Sequence, residues 1–192
     1  MTVLIAITGL LIHHTTQAQI VQIPDKNFKK ALLNHYVKID INNDNEIQYS
    51  EAKNFMSTSI DVSYLSIRSL KGIEAFENIT ELSCAGNLIS SLDISNNKKL
   101  EFLLCSYNRI EKLSLKSNVN LEDVYCNDNN LQELNLANNS NNIYNFDCSN
   151  NPNLSYIVVD SKKNPSKKWI KDKQAMYVVN KRSSIYNALA YK

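Results

Sequence analysis

Two stretches of the chain carry residue types at spacings that could do chemistry. The first is Asp40-Ile-Asn42-Asn-Asp44-Asn45-Glu46-Ile47-Gln48-Tyr-Ser50-Glu51, which counted from Asp40 has oxygen side chains at positions 1, 3 and 5, isoleucine at 8 and glutamate at 12. A hard cation collects six or seven oxygens from such a loop, and the last glutamate binds through both of its own. Calcium is the expected cation, with Asp40, Asn42, Asp44, Glu46 and Glu51 as ligands. The loop needs a sharp turn at position 6, usually made by glycine. Asn45 stands there, the next most tolerant residue for positive φ. That departure, without a second such loop, puts the expected affinity at the weak end, about 10⁻⁴ M. The plain alternative is a solvated Asn/Asp turn between two helices.

The second is a fourfold phrase: Leu82-Ser-Cys84-Ala-Gly-Asn87, Leu103-Leu-Cys105-Ser-Tyr-Asn108, Val124-Tyr-Cys126-Asn-Asp-Asn129 and Phe146-Asp-Cys148-Ser-Asn-Asn151. The cysteines are 21, 21 and 22 residues apart and include all four in the chain. A shared period of this length marks a solenoid whose coils stack and bury their apolar sides on one another. Stacked strands would spread four sulfurs over ~14 Å, which argues against a zinc site needing them at one point. Adjacent strands ~4.8 Å apart fall within the Cα range of a disulfide, so pairing is conceivable. Side chains in register on parallel strands run side by side, however, and cysteine is a small, readily buried hydrophobe. Four buried free thiols are the preferred reading.

The elements that would position these residues follow from the rest of the sequence. The chain has 192 residues, 43% of them apolar, only three glycines and a net charge of +2. That charge is too mild to indicate nucleic acid. Met1 to Ile12 is an apolar run followed by Thr16-Gln17-Ala18, small at the −3 and −1 positions of a cleavage site. It reads as a secretory signal peptide over 1–18, although no lysine or arginine precedes the run. The alternative is a buried N-terminal element, and the run is too short for a membrane span. A secreted or cell-surface protein without a span in the mature chain is therefore expected. Residues 23–36 are predicted to form an amphipathic helix, with Pro24 and Asp25 in its first turn and Phe28, Ala31, Leu32 and Tyr36 on one face. Ser50 is predicted to cap a helix running to about Ser57, so that helix, loop and helix form a cap over 19–58.

From Ile60 the repeat frame runs through apolar columns: Ile79/Leu100/Leu121/Ile143, Leu82/Leu103/Val124/Phe146, Ile89/Ile110/Leu131, Leu92/Leu113/Leu134 and Ile94/Leu115/Leu136. The first coil carries Val62 in the cysteine column and Leu65 in the asparagine column, and a last partial coil carries Leu154, Ile157 and Val159. The pattern L-x-x-L-x-C-x-x-N-x-[LI] over 79–89, 100–110, 121–131 and 143–154 resembles the leucine-rich repeat, with cysteine replacing the third leucine. With its short period, the Leu-Asp-Ile-Ser-Asn-Asn phrase at 92–97 and the EF-hand-like segment in front, the chain is similar to exported bacterial leucine-rich repeat proteins of the internalin kind. The resemblance covers about 60–160 most closely. It implies an α/β solenoid: a right-handed coil with a parallel sheet on the concave face, loops or short extended pieces on the convex face and a helical N-terminal cap. It also implies a protein-binding module rather than an enzyme. The repeats are assigned to 59–160 and an irregular C-terminal cap to 161–192. There Trp169 and Tyr177-Val-Val179 are expected to cover the last coil, beside lysines at 162, 163, 167, 168, 171 and 173 that read as a solvated face, with binding to an anionic surface as the alternative.

Strand alternation then assigns roles within each repeat. With Leu82 and Cys84 inward, Glu81, Ser83 and Ala85 point out, as do Phe102, Leu104 and Ser106, then Asp123, Tyr125 and Asn127, then Asn145, Asp147 and Ser149. Phe102, Leu104 and Tyr125, bordered by Glu81, Asp123, Asn145 and Asp147, form the candidate partner-binding patch, the alternative being that neighbouring side chains partly cover it. The recurring asparagines are expected to be scaffold, bonding backbone groups between coils. A catalytic set does not assemble: past the signal the one histidine is His35, the cysteines point inward, and there is no glycine-rich phosphate loop. The expected function is a secreted recognition module binding a protein, with a glycan as a further possibility. The competing class is a structural or adhesive surface protein, its solenoid a spacer and its calcium loop only a brace for the cap.

Overall fold

The structure, a computed structural model, describes residues 19–138, 142–160 and 168–179. The signal peptide expected at 1–18 and the lysines at 162, 163 and 167 lie outside the described residues. The chain winds as a parallel-sheet solenoid of about five turns.

One sheet is built from β1 (Ser59–Asp61), β2 (Glu81–Ser83), β3 (Phe102–Leu104), β5 (Asp123–Tyr125), β7 (Asn145–Asp147) and β9 (Trp169–Ile170), all parallel and in that order. On the other side of the coil, β4 (Lys112–Ser114), β6 (Glu133–Asn135), β8 (Tyr156–Val159) and β10 (Met176–Val179) make a second parallel sheet. The convex side is therefore partly a hydrogen-bonded ladder, more regular than isolated extended pieces.

Register comes directly from the period. Leu82 pairs with Leu103, Leu103 with Val124 and Val124 with Phe146. The ladder continues into the cysteines, whose N–H groups donate to the next coil: Cys84 to Leu104, Cys105 to Tyr125 and Cys126 to Asp147, each at 2.8 Å. Every inward column of the repeat is buried, and one continuous apolar core runs from Val21 to Ala175. Each fully buried leucine or isoleucine contributes about 1.5–3 kcal/mol, so stability accumulates coil by coil.

A polar column is interleaved with this core. Asn108 Nδ2 donates to the Cys84 carbonyl of the previous coil (2.9 Å) and the Cys105 carbonyl of its own (3.1 Å), while its Oδ1 accepts from Ile89 N–H (3.0 Å). Asn129 repeats this with Cys105, Cys126 and Ile110, and Asn151 with Cys126, Cys148 and Leu131. Asn87 does the same for the first coil, bonding the Val62 and Cys84 carbonyls and accepting from Leu65 and Ile67. One residue before each asparagine the chain turns through positive φ, at Tyr64 in the first coil and then at Gly86, Tyr107, Asp128 and Asn150. Gly86 is required for space as well: an added Cβ would lie 2.2 Å from the Tyr64 ring.

The helical cap is small. α1 (Lys26–Leu33) is shorter than the predicted 23–36; Asp25 caps it and Asn34 ends it. Phe28 and Leu32 are buried, but Tyr36 lies beyond the helix end and is exposed rather than packed on its face. α2 (Tyr49–Lys53) is capped by Gln48, not Ser50, because Glu51 reaches back to the Gln48 N–H at 3.0 Å. Asp25 also fastens cap to solenoid. Its Oδ1 accepts from Asn27 and Phe28 N–H at the helix start, and its Oδ2 accepts from Arg68 and Ser69 N–H of the first coil. Among the described residues no helix is long and apolar enough to cross a membrane.

Past residue 160 the two sheets continue. Trp169 pairs with Phe146, their rings 4.8 Å apart, and β10 pairs with β8 along its length. Trp169 and Tyr177 thus cover the last cysteine-bearing coil by extending its ladders, with Trp169 Nε1 donating to the Ile143 carbonyl.

Two outcomes follow. Asn108→Ala strands two buried carbonyls and the Ile89 N–H, and is expected to lower unfolding free energy by about 2–4 kcal/mol in a denaturant titration. For Asp25, burial raises the carboxyl pKa, but four backbone N–H donors together outweigh it and leave the value below 3.8. A depressed folded pKa stabilises above the unfolded value and is lost as pH falls through the folded one. Asp25→Ala should therefore lower the melting temperature at neutral pH and flatten its decline below about pH 4.

Candidate functional site

The outer face of the six-stranded sheet presents two rows of side chains. One runs Ser59, Glu81, Phe102, Asp123, Asn145, and the other Asp61, Ser83, Leu104, Tyr125, Asp147, Ile170. Because β strands alternate faces and the coils are in register, the backbone holds these groups without any need for side-chain packing between them. Phe102, Leu104, Asp123, Tyr125 and Asp147 are all half-buried, and Glu81 and Asp61 are exposed. The Phe102 and Tyr125 rings lie 5.9 Å apart at 48°, a tilted, half-buried pair. Asn145 Nδ2 donates to Asp123 Oδ1 at 2.5 Å, and Asp147 Oδ1 accepts from the Ser149 backbone (2.9 Å) and hydroxyl (2.6 Å).

The expected patch is thus brought together, with one correction to its edge. Ala85 and Ser106 do not point out; they are 3% and 2% exposed. The chain begins its positive-φ turn immediately after them and folds that column under. Ser106 Oγ donates to Asn127 Oδ1 of the next coil.

The acidic loop closes on itself. Asp40 accepts from Asp44 and Asn45 N–H, and Glu51 accepts from Ile41 (2.8 Å), Asn42 (3.3 Å) and Gln48 (3.0 Å) N–H. Asn43 and Asn45 take φ of 61° and 62°, so Asn45 does adopt the conformation usually given to glycine. Val21 N–H bonds Ile47 O and Tyr49 N–H bonds Gln19 O, pinning buried Ile47 and the exit of the loop. Glu46 turns away to an ion pair with Lys29 at 2.6 Å. Gln48, absent from the expected ligands, is the hub: its Nε2 donates to Asp44 Oδ2 and its Oε1 accepts from Asn42 Nδ2. Its place as position 9 of the loop was the available signal. The Glu46 N–H, first among several donors, holds the Asp44 carboxyl below its ordinary value. Among the described residues no three acidic, histidine or cysteine side chains converge as a metal site. Asp40 accepts two hydrogen bonds and Asp44 and Glu51 three each, all from the loop's own donors; their oxygens are of the kind a hard cation takes.

The four cysteines are free and buried, in a line down the stack. Burial pushes the Cys105 and Cys148 thiols up to about 12, and Cys84 and Cys126 well above their ordinary value. Nucleophilic chemistry needs the thiolate and is therefore closed to them. A second buried asparagine column was missed: Asn97 Nδ2 donates to the Ile73 and Phe76 carbonyls, and Asn118 Nδ2 to those of Ile94 and Asn97. The 21-residue step between Asn97 and Asn118 was its signal.

Fold and face together define a leucine-rich-repeat-type solenoid that presents an open, acidic and aromatic sheet. No family model matches the chain, and no curated protein matches it. Among solved structures it is similar to the functional domain of InlJ from Listeria monocytogenes, described as including a cysteine ladder, with 26% identity over 76% of this chain and 34% of that one and a TM-score of 0.50. It is also similar to the internalin InlF from Listeria monocytogenes, with 24% identity over 83% of this chain and 49% of that one and a TM-score of 0.54. The chain spans about a third to a half of the length of these structures. What it shares with them is the fold.

The burial of the thiols has a direct test. At pH 8 a maleimide should label none of the four cysteines in the folded protein and all four in denaturant. Labelling of the folded protein, or fewer than four thiols on unfolding, would contradict the arrangement.

Proposed function

We propose that this protein is an exported recognition module that binds a protein partner on the outer face of its six-stranded sheet. The observation that carries this is the Phe102–Tyr125 pair with Leu104 beside it, half-buried apolar groups fixed on the outer face of in-register strands. A rigid apolar centre inside a polar border is the usual anatomy of an interface core, and a rigid surface loses little entropy on binding. The spacer alternative would leave these positions indifferent to substitution. Immobilised protein and its Phe102→Ala/Tyr125→Ala variant, exposed to a native extracellular extract, should differ: the variant loses the captured partner while keeping the melting temperature within a few degrees. Equal capture by both would count for the spacer.

The loop at 40–51 is proposed as a calcium site that stabilises the cap, with Asp40, Asn42, Asp44 and Glu51 as side-chain ligands; Glu46, expected among them, is held by Lys29 instead. It is supported by the spacing and by Asn45 at φ 62°. With a dissociation constant near 10⁻⁴ M, 10 mM calcium should stabilise the folded state by about 2.7 kcal/mol, read as a rise in melting temperature. Asp40→Ala with Glu51→Gln should abolish that rise. No response to calcium, or the same response in the double variant, would remove calcium from the picture.

A further inference from the structure

The candidate face has a charge that the composition of the whole chain conceals. Along the two outward rows stand Asp61, Glu81, Asp123 and Asp147, and exposed Glu101 and Glu122 precede β3 and β5 at its border. The chain overall is net +2. Lys98, Lys99 and Lys116 lie in the turns, Lys112 on the second sheet and Arg109 outside the strands, while Lys168 stands at the far end of the Phe102 row, beside Tyr144. None of Asp61, Glu81, Asp123 and Asp147 has a lysine or arginine partner among the described residues; where bonded, their partners are neutral Ser63, Asn145 and Ser149. The outward rows therefore carry more negative than positive charge around an apolar centre, with Lys168 at their far end.

We infer that the partner surface is cationic: a protein segment with several lysine or arginine side chains around an apolar or aromatic anchor. This rests on the reading of the face as a partner site and names the partner's chemistry. The carboxylates are dispersed over adjacent coils ~4.8 Å apart and on both rows, which suits several separate cationic groups rather than one point charge. Guanidinium and ammonium groups also lie favourably over aromatic rings, and Phe102 and Tyr125 present theirs between the carboxylates. The chain already makes such a contact at the end of this sheet, where Lys168 Nζ lies 4.0 Å from the centre of the Tyr144 ring. Complementary charge would steer encounter and exclude acidic competitors, and the apolar centre would set the lifetime of the complex.

The test is selection of short random peptides displayed on phage against three immobilised proteins. These are the full chain, Phe102→Ala/Tyr125→Ala, and Asp123→Asn/Asp147→Asn, whose amides keep the hydrogen bonds to Asn145 and Ser149 and whose melting temperature verifies folding. Peptides enriched on the full chain should be rich in lysine and arginine. Their synthetic forms should lose on the order of tenfold or more in affinity on the Asn variant, and bind more weakly as salt rises from about 50 to about 500 mM. Enrichment of neutral or acidic peptides lost on the Ala variant but kept on the Asn variant would overturn the cationic assignment and leave the face standing. Peptides indifferent to both variants, or no enrichment, would overturn the two together.

Discussion

Everything in this molecule depends on keeping successive coils in register while their backbones are buried. Three-residue strands leave much of each turn outside a ladder, and an unpaired buried carbonyl or N–H costs about 1–3 kcal/mol. The column of Asn87, Asn108, Asn129 and Asn151 meets that constraint, each amide joining carbonyls of two coils and accepting an N–H from the turn. Because the amide must reach both coils at once, register is kept even where the step changes from 21 to 22 residues. The cysteines, whose carbonyls these amides bond, then stack in register as small apolar thiols in the core.

A scaffold so determined from within leaves its outward positions free. Phe102, Asp123, Leu104, Tyr125 and Asp147 are half-buried on the outer face, and they are held by neighbours on the same strands that are fully buried. This division separates the residues that make the fold from those available to make a contact. The ends of the stack need separate treatment. Asp25 ties the helical cap to the first coil through four N–H donors, and Asp172 accepts from Asn150 and Asn151 N–H at the other end.

Much of this was legible in the sequence because the repeat writes each inward column four times. The apolar columns, the free thiols, the asparagine ladder and the pairing of Phe102 with Tyr125 on one face all follow from the period. What the sequence concealed has local causes. Lys112-Leu-Ser and Glu133-Leu-Asn are too short and too polar to read as strands, so the second sheet was not evident. The last coil lacks the cysteine phrase: Trp169 stands 23 residues after Phe146, and Lys171 falls where a cysteine would. Ala85 and Ser106 obey alternation in sequence but not in space, since the turn at Gly86 and Tyr107 carries them under. In the acidic loop, Gln48 was passed over although it bonds both Asn42 and Asp44 and caps α2.

The central claim is that inward columns make the fold and the outward rows of the six-stranded sheet make the contact. A deep mutational scan of the displayed protein, reading folded abundance and binding of a selected cationic peptide on the same cells, tests it most directly. Substitutions in the cysteine and asparagine columns should lower abundance, with binding falling only in proportion. Substitutions at Phe102, Leu104, Asp123, Tyr125 and Asp147 should lower binding at unchanged abundance. A scan in which those five positions tolerate every substitution for binding, while sensitive positions cluster on the second sheet, would contradict it.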